Sequence, residues 1–147
     1  FLRAEHWGTD IMNNKDWYLG GKDTHFWADL FVNALGRINV KVAQPEELII
    51  AKQLRNSFLA MKVTYFNQAY DFCKAQGVDF EEVRKVITDD TRIGDSHSVV
   101  TDDRGYGGHC FPKDTLATIR SAQVSGANMT LLEESDIYNR KVRNDKI

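Results

Sequence analysis

Residues 45–77 read PEELIIAKQLRNSFLAMKVTYFNQAYDFCKAQG, and this stretch decides the fold. Pro45 can open a helix because the first turn does not need its missing N–H, and Glu46 and Glu47 follow where the helix dipole favours acids. Gly77 supplies a residue at which a helix commonly ends. The stretch therefore predicts one long helix from Pro45 to Gly77.

This helix is apolar on two sides. One stripe consists of Leu54, Phe58, Met61, Tyr65 and Phe72, and a roughly opposite stripe consists of Leu59, Val63, Phe66, Tyr70 and Cys73. A helix that is apolar on two sides is expected to be buried on two sides. In a chain of 147 residues, one of those sides is a candidate subunit interface. We therefore expect a homodimer formed through the long helix, with Cys73 in the core.

The flanking segments are shorter. A strand and turn at 17–21, a helix at 22–35 and a strand at 38–42 form a β-α-β pattern. After the long helix we expect a short helix from Asp79, a polar loop over 88–104, and helices at about 115–125 and 130–145. Thr130 and Glu133 have the spacing of a capping box for the last helix. The predicted fold is mainly α.

Composition excludes several classes of partner. The net charge of −2 implies no bulk attraction to nucleic acid or to an anionic membrane, and no apolar run is long enough to span a bilayer. Two cysteines suit a reducing compartment better than a disulfide scaffold, so we expect a cytoplasmic protein. The chain starts at Phe1 without a signal peptide, and we expect it to be a piece of a longer protein.

A second informative stretch is Gly105-Tyr-Gly-Gly-His-Cys-Phe-Pro-Lys-Asp114. Its cysteine, Cys110, follows a glycine run and precedes a lysine and an apolar helical pattern. A thiolate near a helix N-terminus and a cation is a nucleophile, which makes this a candidate nucleophile loop. A small buried hydrophobe is the alternative for a lone cysteine, and the residues alone leave both open.

Lys52 and Asn56 are four residues apart and so share a helix face. A cation and an amide that project together can hold a developing oxyanion and a hydroxyl group. An exposed polar patch on an amphipathic helix is the plainer interpretation of the same pair.

The chain resembles the UDP-glucose/GDP-mannose dehydrogenase family, whose active-site signature is usually Gly-(Phe/Tyr)-Gly-Gly-Ser-Cys-Phe-Pro-Lys-Asp. Residues 105–114 match it except at His109. Three further stretches resemble family segments in the same order: Phe1-Leu2-Arg3, residues 52–60 (KQLRNSFLA), and residues 90–94 (DTRIG). The resemblance covers nearly the whole chain.

The resemblance implies a reaction and a set of catalytic residues. Cys110 would attack an aldehyde formed from the C6 alcohol of a UDP-hexose, and the resulting thiohemiacetal would be oxidised to a thioester, with NAD as the oxidant in both steps. Lys52 would stabilise the oxyanions, Asn56 would orient a water or hydroxyl, and Asp114 would position or activate the water. A helix N-cap is the alternative role for Asp114.

The resemblance also implies binding residues and domain limits. The substrate would meet Phe1, Leu2, Arg92, Gly105, Tyr106, Gly107 and Gly108, and the cofactor would meet Lys113. Arg92 would reach the neighbouring subunit's substrate, with a turn salt bridge as its alternative role. Residues 1–44 would be a β-α-β remnant of a Rossmann-type NAD-binding domain, and residues 45–147 the helical dimerisation domain.

Several departures keep other interpretations open. No Gly-x-Gly-x-x-Gly fingerprint occurs, so we expect these residues alone not to bind NAD usefully and to be inactive. His109 is typical of N-acetylhexosamine-type relatives, so the substrate could be a UDP-N-acetylhexosamine or GDP-mannose. A catalytically inactive dimerisation module is another alternative.

Two minor alternatives are a cysteine hydrolase, which would pair Cys110 with His97, His25 or His6, and a zinc site, which would use Cys73, His97, His109 and Cys110. Neither is supported by ligand or motif spacing, and we predict no metal site.

Overall fold

The computed structural model describes residues 6–144 and is mainly helical, as predicted. The elements are α1 (Trp7–Asn13), β1 (Asp16–Leu19), α2 (Thr24–Leu35), β2 (Asn39–Val42), α3 (Pro45–Gln76), α4 (Phe80–Thr88), α5 (Cys110–Val124) and α6 (Thr130–Val142). The chain divides into two compact units, one that ends at Lys52 and one that begins at Gln53.

The first unit contains the predicted β-α-β pattern. β1 and β2 are parallel, with Asp16 opposite Asn39 and Leu19 opposite Val42. Parallel neighbours need a crossover, which α2 provides, and the ring of Trp17 on β1 stacks on Phe31 of α2 with 4.9 Å between centroids. α1 was not predicted, and none of its seven residues is buried.

The second unit is built on α3, which confirms the long helix. Phe66 and Cys73 of α3 form a buried cluster with Phe80 of α4. Asp79 caps α4, because its carboxylate accepts a hydrogen bond of 2.8 Å from the N–H of Glu81. This side of α3 is the predicted Leu59–Cys73 stripe, and the core position of Cys73 is confirmed.

The opposite stripe of α3 lies open in a single chain. Phe58, Tyr65 and Phe72 are 64%, 61% and 66% exposed. The expectation of burial on two sides is therefore right for one side only within one chain, since the described residues leave these rings mostly exposed. Two grooves border the open stripe, of about 490 Å³ and 370 Å³, and Met61 and Tyr65 line both.

One of the two predicted C-terminal helix starts was wrong, and the other, at Thr130, is confirmed without its predicted cap. α5 begins at Cys110 rather than Thr115, because Pro112 falls in the first turn, where no N–H is needed. α6 begins with Thr130 inside the helix and no side-chain cap. The predicted capping box is not formed; the carboxylate of Glu133 instead accepts a 3.2 Å hydrogen bond from Gln123.

Candidate active site

Cys110 is the first residue of α5 and directly follows residues 105–109, which we call the glycine segment. Its thiol is free and exposed, in contrast to the buried Cys73. The unpaired N–H groups of a helix N-terminus favour a negative charge placed there. The exposed thiol can therefore meet a substrate as a nucleophile, and its position does not fit the alternative of a buried small hydrophobe.

Asp114 lies one turn into α5 and faces α3. It is 2% exposed, and its Oδ2 accepts a hydrogen bond of 2.6 Å from Nδ2 of Asn56. Its Oδ1 is paired with the ammonium of Lys113, and this hydrogen bond raises the pKa of Lys113. The N-cap role considered for Asp114 is wrong, since His109 occupies the N-cap position.

A second polar contact fixes α5 against α3. The hydroxyls of Ser57 and Thr118 are 3.0 Å apart and both residues are buried. Thr118 also donates to the carbonyl of Asp114 at 2.7 Å. Ser57 is adjacent to Asn56 and Thr118 is one turn after Asp114. The two contacts therefore hold the first turns of α5 in one register along α3.

The glycine segment packs its glycines against α6. A Cβ at Gly105 would lie 2.2 Å from Oδ1 of Asn139, and a Cβ at Gly107 would lie 2.2 Å from the guanidinium of Arg143. A Cβ at Gly108 would meet nothing within 4 Å, although its φ of +73° is left-handed. Of the three glycines predicted to approach a sugar, Gly108 alone has open space beside it.

Tyr106 turns inward instead of lining an open surface. It is 3% exposed, and its hydroxyl donates to Oδ1 of Asp136 at 2.9 Å. Burial, together with this hydrogen bond, raises the pKa of Tyr106 above its ordinary range. The side chain thus anchors the segment in the core, and its backbone is the part that can face a ligand.

Arg92 lies on an exposed turn. Its Nη2 is 2.5 Å from the carboxylate of Asp90, which is the turn salt bridge considered as its alternative role, and this pairing lowers the pKa of Asp90. Lys62 of α3 braces the turn by donating to the carbonyls of Ile93 and Gly94 at 2.7 Å and 2.8 Å. The side chain of Arg92 is 88% exposed and can reach beyond its own chain.

The structure gives fewer contacts for the other predicted site residues. Lys52 is half-buried on α3, one turn before Asn56. Phe1 and Leu2 lie outside the described residues. The ring of His97 lies 5.5 Å from that of Phe111, and burial, followed by the charge of Lys62, lowers the pKa of His97. In the part of the chain that the structure describes, no His, Cys, Asp and Glu side chains cluster to hold a metal ion.

Comparison with known proteins places this geometry in a family. Residues 47–141 match the model of the UDP-glucose/GDP-mannose dehydrogenase family, central domain. The chain belongs to this family. The match runs from the first turn of α3 to the last turn of α6 and includes Asn56, Cys110 and Asp114.

Curated relatives and a solved structure agree with this dehydrogenase assignment. The chain is 39% identical over 95 residues to UDP-glucose 6-dehydrogenase of Pseudomonas aeruginosa, which covers 65% of this chain and 20% of that protein. It is 40% identical over 87 residues to the enzyme of Haloferax volcanii, covering 59% and 20%. A UDP-glucose dehydrogenase structure from Pyrobaculum islandicum aligns with a TM-score of 0.83 and 30% identity over 96% of this chain and 32% of that one. The chain thus spans about a fifth of the length of its curated relatives.

Sequence reasoning missed the residues that support the site. Lys62, Asn67 and Asn139 contact the turn at 90–94 or the glycine segment, yet none belongs to a recognisable motif. The available signal was a polar residue inside an otherwise apolar helix pattern. A polar side chain in such a pattern is expected to be buried and hydrogen-bonded, but the sequence does not show which residues are its partners.

Proposed function

We propose that this chain is the central part of an NAD-dependent nucleotide-sugar 6-dehydrogenase that oxidises a UDP-hexose, with UDP-glucose favoured, to the uronate. The observation that carries the proposal is the exposed Cys110 at the N-terminus of α5, beside Asp114 and its 2.6 Å hydrogen bond to Asn56. Relatives named UDP-glucose 6-dehydrogenase support the same substrate class.

Cys110 acts as the covalent nucleophile. Its sulfur adds to the carbonyl carbon of the C6 aldehyde, the carbonyl oxygen takes a proton, and a thiohemiacetal forms. Loss of a hydride from C6 and of the hydroxyl proton gives the thioester. Attack by water then breaks the C–S bond, which releases the uronate and the thiol. A covalent link between the two oxidations prevents the aldehyde from escaping.

Asn56 and Lys52 serve the oxygen atoms of these intermediates. Lys52 supplies a positive charge for the developing oxyanion. The Nδ2 of Asn56 is engaged by Asp114, so its amide oxygen is the atom that accepts from a water or hydroxyl. Asp114 fixes this orientation with one oxygen and holds Lys113 with the other. Loss of Asp114 would release both side chains.

Within the described residues, the contact that we propose with NAD is made by Lys113. Gly20 after β1 does not open onto a phosphate cradle, because a Cβ there would lie 2.9 Å from the carbonyl of Ala43. Lys113 is 63% exposed beside Cys110 and is the residue that would meet the cofactor. Bound NAD⁺ supplies the uptake of a hydride at each oxidation. We further propose that residues 1–44 end an NAD-binding domain and that 45–147 form the dimerisation domain.

The substrate contacts follow from what the glycine segment leaves open. Gly108 presents backbone without a side chain to an open surface, where a hexose hydroxyl can approach. Arg92 carries a charge suited to a diphosphate, from an exposed turn. A GDP-mannose or a UDP-N-acetylhexosamine would present the same diphosphate, so product analysis decides between them. Two free thiols suit a reducing cytoplasm.

The partner that we propose for the open stripe of α3 is a second copy of the chain. Exposed Phe58 and Tyr65 form a ridge on α3, and open grooves of about 490 Å³ and 370 Å³ border it. A two-fold axis would let each ridge enter a groove of the other copy. The groove that Tyr65 and Arg92 share would place Arg92 at that interface.

The test is replacement of Cys110 by serine in the complete protein that contains this chain. With a UDP-hexose and NAD⁺, we expect Cys110→Ser to lose uronate formation, since a hydroxyl is the poorer nucleophile. Cys73→Ser is the matched control, because Cys73 is buried away from the site and should affect stability rather than the chemistry. Uronate formed at the wild-type rate by Cys110→Ser would leave the inactive dimerisation module as the better function.

A further inference from the structure

The backbone of residues 104–107 is held by two buried asparagines from different helices. Asn67 of α3 is 1% exposed and Asn139 of α6 is 2% exposed. Buried amides destabilise a fold unless their hydrogen-bonding groups are satisfied, and a satisfied buried network rigidifies the segment that it binds. Both asparagines find partners on the segment that leads to Cys110.

The side-chain amide of Asn139 bonds both backbone groups of Tyr106, as a peptide group of a neighbouring β-strand would. Its Oδ1 accepts from the N–H of Tyr106 at 2.7 Å, and its Nδ2 donates to the carbonyl of Tyr106 at 3.0 Å. Asn67 acts one residue earlier: its Oδ1 accepts from the N–H of Gly105 at 3.0 Å and from Nε of Arg104 at 2.8 Å. Consecutive peptide groups are therefore held by side chains from two different helices.

The same face of α6 supplies two more contacts. Asp136 and Asn139 are three residues apart and so lie on one face, and Arg143 is the C-cap residue just beyond it. Asp136 accepts from the hydroxyl of Tyr106, and Arg143 donates to the carbonyl of Arg104 at 3.2 Å. This face of α6 is thus occupied by the glycine segment, although α6 contributes no residue to the proposed chemistry.

We propose that Asn139, together with Asn67, is a positioning residue for Cys110. The pair fixes the path of residues 104–107, and Cys110 follows four residues after Tyr106, so the sulfur is set in place before substrate arrives. This inference rests on the proposed function. A displacement of about 1 Å at a reacting atom can lower a rate about a hundredfold.

The experiment compares Asn139→Leu with Leu132→Ala in the complete protein. Leucine is close to asparagine in size but makes neither hydrogen bond. Leu132 is also buried on α6, at 1% exposure, so its truncation destabilises the same helix without removing a hydrogen bond to the segment. We expect Asn139→Leu to lower kcat about a hundredfold, with a smaller change in KM. Leu132→Ala should lower the melting temperature but keep kcat near wild type.

Hydrogen exchange at the amides of Gly105 and Tyr106 separates the inference from the proposed function. We expect Asn139→Leu to lose protection at Tyr106 while the amides of α3 stay protected. Retained protection, or a kcat no lower than that of Leu132→Ala, would overturn the positioning role. If Asn139→Leu does not fold, Asn139→Ala is measured in the same way. The exchange result does not depend on turnover, whereas Cys110→Ser tests the chemistry alone.

Discussion

Adding one methyl group at Gly105 should damage this site more than adding it at either neighbouring glycine. At Gly105 the new Cβ would lie 2.2 Å from Oδ1 of Asn139, a fully packed amide, and the backbone has a left-handed φ of +54°. At Gly107 the nearest atoms belong to the far end of the flexible Arg143, and at Gly108 nothing lies within 4 Å. An alanine at Gly107 therefore tests steric collision alone, one at Gly108 tests backbone strain alone, and one at Gly105 combines both effects.

The magnitudes can be worked out separately for each glycine. A left-handed alanine costs about 1–2 kcal/mol, which is the whole effect expected for Gly108→Ala. Gly105→Ala adds the displacement of Asn139 from both groups of Tyr106, and each lost hydrogen bond costs about 1 kcal/mol, or about 1–3 where a group is left unsatisfied. The total for Gly105→Ala is about 3–8 kcal/mol. Gly107→Ala should cost about 1 kcal/mol as Arg143 swings away.

Urea unfolding of the three variants measures these free energies, with helical circular dichroism as the signal. A double-mutant cycle then identifies the cause. If the collision with Asn139 dominates, Gly105→Ala combined with Asn139→Ala should be less destabilised than the sum of the two single variants. An additive cycle, or a Gly105→Ala variant no less stable than Gly108→Ala, would refute this account of the glycine segment.

The remaining predictions concern the interface, the turn at 90–94 and the response to alkali. Tyr65→Glu should change the unfolding free energy of one chain by less than about 0.5 kcal/mol, because the ring is exposed, yet it should weaken the dimer at least about a hundredfold by burying a charge. Sedimentation checks this against Tyr65→Phe, and a variant that stays dimeric contradicts it. Lys62→Met removes the hydrogen bonds to two carbonyls of the turn that carries Arg92 and should lower kcat/KM about tenfold, because Arg92 would be less well positioned. Steady-state kinetics with Lys62→Arg as the control test this prediction, and unchanged kinetics would reject it. Burial and a hydrogen bond to Asp71 raise the pKa of Tyr138 to about 12. The folded chain keeps this proton at a pH where the unfolded chain has lost it, so stability should fall as the pH rises from about 10 to about 12. Tyr138→Phe should flatten that slope in urea titrations, and an unchanged slope would show that another group is responsible.

The long helix and the β-α-β pattern were predictable because their signals are local. Pro45, Gly77 and the apolar spacing between them are enough to specify α3, and its boundaries in the structure agree. The start of α5 was missed for the opposite reason. Pro112 and the glycines before it suggest a loop. A proline is nevertheless tolerated in the first turn of a helix, because it causes no steric clash there and its missing N–H would have no partner.

The candidate site was predictable only as a set of residues. The sequence places Asn56 on a helix and Asp114 near a cysteine, but their 2.6 Å contact joins positions that are 58 residues apart. The same holds for the bonds of Asn67 and Asn139 to the glycine segment. Long-range pairing depends on how helices dock, and hydrophobic periodicity does not encode which polar groups meet. The sequence likewise predicted an interface on one side of α3 but not on which side, because the pattern records apolarity and not what covers it.

The groove beside Tyr65 also includes Arg92, and this has a consequence for mixtures of defective chains. If a second copy seats itself in that groove, each substrate pocket draws its cysteine from one polypeptide and its arginine from the other. A chain without the thiol and a chain without the guanidinium would each be inactive alone. Expressed together, they could assemble one intact pocket per pair, and the two lesions would complement each other as alleles.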